Sequence, residues 1–102
     1  MILEVTQQSI DEAIKNEFEQ ACKCYGAYFN SSHEGYAVLR EEIEEAKDNI
    51  EEMLRHLSEM WETVKTDDVE GYLKEARLIG LYANFLACEA CQVAAVVKKI
   101  KG

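Results

Sequence analysis

The sequence predicts an all-α fold of three to four helices, packed as an antiparallel bundle and completed by oligomerisation. Three observations point there. The 102 residues hold no proline and only five glycines, and Glu, Ala, Leu and Lys dominate, so helices meet few breaks. Apolar residues recur at steps of three and four along most of the chain. The C-terminal third is apolar on nearly every side, which asks for more covering surface than two helices of one short chain supply. At this length the chain is expected to form one domain, residues 1–102, with a core small enough that association adds stability.

The first helix is expected to start near Thr6 or Ser9, where Ser9 and Glu12 have the spacing of a capping box. Ile10, Ala13, Ile14, Phe18, Ala21 and Tyr25 then form one apolar face, and Gly26 suits a left-handed stop. Residues 27–32 read as a loop whose aromatics, Tyr28 and Phe29, are expected to pack under the next helix or against a second chain. The second helix is expected from Ser31 or Ser32, with Ser31 and Glu34 as a capping box, to about Lys65. Its stripe is the clearest pattern in the sequence: Leu39, Ile43, Ala46, Ile50, Met53, Leu54, Leu57, Trp61 and Val64. Trp61 is read as core. Asp67 with Glu70 is expected to cap the third helix, and Gly80 to mark a bend or break within it. From Ile79 to Val97 only Asn84, Glu89 and Gln92 interrupt the apolar surface.

That helix nearly reaches the roughly 20 residues a membrane span needs. Glu89 near its middle would be costly in lipid, so burial by neighbouring copies, in a homo-oligomer (dimer or tetramer), is expected instead of a membrane. The formal net charge of −9 argues against a nucleic-acid partner, which needs clustered Lys and Arg. The N-terminus lacks the basic start and apolar stretch of a signal peptide. A cytoplasmic protein with four reduced cysteines is therefore expected. Cys22-x-Cys24 points to opposite sides of a helix, and Cys88-x-x-Cys91 lies in an apolar helix without a turn. Both fit small core residues better than zinc ligands. His56 is placed on the polar face of the second helix with no visible partner.

Two features could carry chemistry. In Arg40-Glu41-Glu42-Ile43-Glu44-Glu45-Ala46-Lys47-Asp48, carboxylates three or four apart share a face and repel. A divalent cation relieves that repulsion, and Mg²⁺ takes carboxylate oxygens together with water and substrate phosphate. Glu42 lies nearest the edge of the apolar stripe, so a site at the rim of the packing would use Glu42 and Glu45. A glutamate-rich solvated face is the plainer account of the same run. Glu89, among Leu86, Ala87, Cys88, Ala90, Cys91 and Val93, must be protonated, paired or metal-bound if it is desolvated. Gln92 is one helical step away on the same face. A structural pair of Glu89 with Arg40, Arg77 or another chain's Lys is the competing account.

The stretch from His33 to Ala46, with Glu41-Glu42-Ile43-Glu44-Glu45 at its centre, resembles the first metal-binding helix of MazG-like all-alpha NTP pyrophosphatases, especially the small phage and prophage type. Glu89-Ala90-Cys91-Gln92 resembles the later helix, with Gln92 where the family pattern has Asp. The likeness spans roughly residues 20 to 100. It implies that Glu42, Glu45, Glu89 and Gln92 hold Mg²⁺ (or Mn²⁺), that Glu41 orients or deprotonates water, and that Arg40, Tyr36 and His33 meet the nucleotide. The implied reaction is hydrolysis of a nucleoside triphosphate to monophosphate and pyrophosphate. Gln92 also implies an alternative: a non-catalytic helical oligomer, a binding or regulatory protein that keeps the fold only.

Overall fold

The structure, a computed structural model, describes residues 6–25 and 28–100. Gly26, expected as a helix stop, lies outside the described residues, as do Ala27 and the side chains of Ala21, Cys24 and Tyr25. The described residues form three helices and no strands: α1 Gln7–Tyr25, α2 Ser32–Lys65 and α3 Val69–Lys98. They fall into two compact units, one drawn from Met1–Ile43 and Glu89–Gly102, the other from Glu44–Cys88.

The helix ends show which caps the sequence uses. Thr6, not Ser9, caps α1: the Ser9 amide donates to Thr6 Oγ1 at 3.1 Å and the Thr6 amide to Ser9 Oγ at 3.1 Å. That reciprocal pair displaces the expected Ser9–Glu12 box. At α2 the Glu34 amide donates to Ser31 Oγ at 3.1 Å as expected, while Glu34 Oε2 accepts from the Asn30 amide at 3.3 Å. Between α2 and α3 the chain closes a Schellman turn. The Asp68 amide donates to the Thr63 carbonyl at 2.9 Å and the Asp67 amide to Val64 at 3.4 Å. Asp67 sits at φ 53°, the left-handed position of that motif. Asp67 is thus consumed by ending α2, and Asp68 caps α3 by accepting from the Gly71 amide at 2.9 Å. A side chain at Gly71 would collide with that Asp68 carboxylate. Helix α3 runs unbroken through Gly80, so the expected break is absent. By length and composition α3 could also cross a membrane.

In the unit Glu44–Cys88, α3 folds back along α2 after the turn. The side of α2 that meets it is not the expected one. Ala46, Asn49, Met53, His56, Met60 and Thr63, covered or half-covered, form a seam of threes and fours, with half-covered Glu52 beside it. The more apolar seam beside it stays open: Leu54, Leu57 and Trp61 are 60%, 54% and 59% exposed. Trp61 is therefore not core. His56 is the anchor of the inner seam. It is 6% exposed and Glu75 8%, and His56 Nδ1 meets Glu75 Oε2 at 2.6 Å. A donor at Nδ1 leaves Nε2 to accept from Arg55 Nη2 at 3.2 Å. The imidazole stacks on Tyr82, centroids 5.6 Å apart, and Tyr82 meets Phe85 edge-on at 5.9 Å. A hydrogen bond and the charge of Glu52 raise the Arg55 guanidinium pKa above its ordinary value. His56, expected on the polar face of α2, is instead buried, because its partner lies on another helix.

In the other unit, the loop aromatics part ways. Phe29 is half-buried against Gly35 and accepts the Lys99 ammonium over its ring at 4.7 Å, while Tyr28 remains 55% exposed. The Phe29 amide donates to the Lys99 carbonyl at 3.2 Å, which ties the loop to the end of α3. Gly35 is buried there, and a Cβ in its place would press on the Phe29 ring at 3.3 Å.

Removing one partner of a buried hydrogen-bonded pair strands the other. Glu75→Ala is expected to lower unfolding free energy by about 1–3 kcal/mol, read by urea denaturation. Glu59→Ala is the control, since Glu59 is exposed and 3.8 Å from His56, and it should change stability by less than about 1 kcal/mol.

Candidate functional site

Glu42 is half-buried on α2, one turn after half-buried Val38, while Glu41 and Glu45 are exposed. Glu89, on α3, is also half-buried rather than sealed in apolar surroundings. Carboxylate oxygens of Glu42 and Glu89 lie within 4.8 Å of one another. Gln92 joins them. In the amide orientation that satisfies all three groups, its nitrogen donates to Glu89 Oε2 at 3.0 Å and Glu42 Oε2 at 3.1 Å. Two carboxylates this close repel unless something positive stands between them, and here the partial positive charge of an amide does so. Glu45 follows Glu42 by one turn of the same helix.

Glu42 and Gln92, but not Glu89, line a cleft of about 470 Å³ together with Phe29, Glu34, Val38 and Lys99, among others. The cleft has an aromatic face at Phe29 and a cation at Lys99, which is 3% exposed. Burying a lysine this far needs compensation from charge and ring contacts. Sequence reasoning missed Lys99. It follows α3 in a Lys98-Lys99 pair that reads as a helix-end cation, and only the Phe29 loop folding over it makes it a cleft residue. Glu17 and Gln20, from α1, also line the cleft and went unremarked.

The other expected site residues lie elsewhere. His33, Tyr36, Arg40 and Glu41 are exposed along α2 and are not among the residues lining the cleft. Tyr36, 66% exposed, lines a separate groove with Phe29, Gly35, Leu39 and Ile100. Cys88 is exposed, Cys22 and Cys91 are half-buried, and all three are free thiols. His56, Glu59 and Glu75 also bring potential ligand atoms within 4.8 Å of one another, but the direct 2.6 Å contact of His56 with Glu75 makes this a hydrogen-bonded pair. No family model, curated protein or solved structure matches this chain.

The Gln92 amide donates to both Glu42 and Glu89. Gln92→Leu keeps the volume and removes both donors, so it is expected to destabilise the fold by about 1–3 kcal/mol at neutral pH. Chemical denaturation of both proteins would measure it.

Proposed function

We propose that this chain is a MazG-like, metal-dependent nucleotide pyrophosphohydrolase whose helices form an antiparallel bundle completed by other copies in the cytoplasm, with phage or prophage proteins as its kin. The observation that carries the reading is the approach of Glu42 and Glu89, far apart in sequence, where Glu42 also lines a cleft with Phe29 and buried Lys99. Glu42, Glu45 and Glu89 would hold Mg²⁺ or Mn²⁺ through hard carboxylate oxygens, the donor type these ions prefer. The ion, when bound, supplies charge neutralisation for a triphosphate and acidifies a bound water. The chain's own groups do the rest. Lys99 offers a cation to phosphate, and Phe29 offers a flat apolar surface to a base. Glu41, exposed one residue before Glu42, would orient or deprotonate the attacking water. Arg40, Tyr36 and His33 would reach the nucleotide only from outside the cleft.

A second reading rests on Gln92. As a donor to both carboxylates it performs the cation's electrostatic task. A non-catalytic protein that keeps the fold for binding or regulation could be held together this way. For the enzyme, the amide must turn over and present its carbonyl oxygen, a neutral ligand in place of a charged one.

The two readings separate by experiment. The enzyme is expected to gain melting temperature with Mg²⁺ or Mn²⁺, to lose that gain in Glu45→Gln, and to release pyrophosphate from at least one nucleotide of a panel. Gln92→Asp, which adds a charged ligand, is expected to tighten Mn²⁺ binding about tenfold or more by titration calorimetry. A melting temperature indifferent to both ions, with no pyrophosphate released, sinks the enzyme reading.

A further inference from the structure

Helix α2 carries a second seam that its own chain leaves open. Ile50, Leu54, Leu57, Trp61 and Val64 are 44%, 60%, 54%, 59% and 47% exposed. Their steps of four, three, four and three are the a/d repeat of a two-stranded coiled coil. Beside this seam, on the flank that faces α3, lie Met53 and Met60, both half-buried. On the opposite flank lie Glu51, Ser58 and Lys65, at the e positions of the same repeat.

We propose that this seam is an isologous interface in which α2 of a second copy of the chain lies antiparallel, with the two-fold axis passing beside Ser58. The charges select this occupant and this direction. In an antiparallel pair, e positions face e positions. Centring the register at Ser58 sets Glu51 against the partner subunit's Lys65, and Lys65 against the partner subunit's Glu51. The same register stacks Leu57 on the partner subunit's Trp61 and Leu54 on the partner subunit's Val64. A parallel pair would instead face Glu51 and Lys65 toward the methionine flank already taken by α3. Glu51 and Lys65 now hold only exposed, helix-local partners, Lys47 at 3.7 Å and Glu62 at 2.9 Å, contacts that are cheap to exchange.

This inference builds on the assembly part of the proposed function and is independent of the metal and nucleotide.

The test uses the full chain at micromolar concentration. Light scattering is expected to give a dimer or a multiple of it. Under mild oxidation in a Cys88→Ser background, Ser58→Cys is expected to link covalently into dimers, and Cys88→Ser alone, treated alike, is not. Glu51→Lys and Lys65→Glu are each expected to weaken association roughly three- to tenfold, and the double variant E51K/K65E to restore it. These exposed changes keep α2 helical, which circular dichroism checks. An assembled protein in which Ser58→Cys stays unlinked and the double variant gives no rescue overturns this interface but leaves assembly standing. A monomeric wild-type chain overturns both.

Discussion

The rotation of α2 about its own axis is the constraint on which the packing of the unit Glu44–Cys88 depends. It is set by the His56–Glu75 contact at 2.6 Å, backed by Tyr82 on one side of the imidazole. That pair points the seam of Asn49, Met53, His56 and Met60 at α3. A helix has about 100° between successive residues, so the neighbouring seam, one position later, is turned outward as a whole. The more apolar side of α2 is left uncovered because the less apolar side holds polar groups whose partners wait on α3. An unpaired imidazole or carboxylate in the interior costs more than an exposed leucine.

In the unit drawn from Met1–Ile43 and Glu89–Gly102, Glu42 is half-buried on α2 while Glu41 faces solvent. Each unit thus contains a polar solution of the same kind: a carboxylate met by an imidazole in one, and carboxylates met by an amide in the other. Both are local answers to charge in a poorly solvated place. What distinguishes the Glu42–Glu89 pair is the adjoining cleft with Phe29 and Lys99, where a ligand has room. His56 and Glu75 close directly on each other.

Much of the architecture was legible in the sequence. The absence of proline, the three runs of helical periodicity and the Ser31–Glu34 box located the helices to within a few residues. The caps were less legible, since Thr6, Ser9, Asp67 and Asp68 offer rival side chains within three residues of one another, and the choice depends on which backbone amide each reaches. Glu42 and Glu89 were singled out from charge in apolar surroundings. Lys99 was not, because a lysine after a helix end has an ordinary explanation until a distant ring is folded over it.

By itself the sequence determined an all-helical chain, the approximate ends of its helices, an apolar α3 and a set of carboxylates on α2 with enough charge to need a counterion or a donor. Periodicity and capping are local properties, written within a turn or two of the helix they describe. Only the tertiary structure decided which face of α2 is inside. Periodicity identifies a stripe, and hydrophobicity favours the most apolar one. Here the choice went to the stripe whose polar residues find partners on α3, and those partners stand far along the chain. That choice buried His56 and left Trp61 outside; in the other unit, tertiary packing brought Glu42 to Glu89 and Gln92.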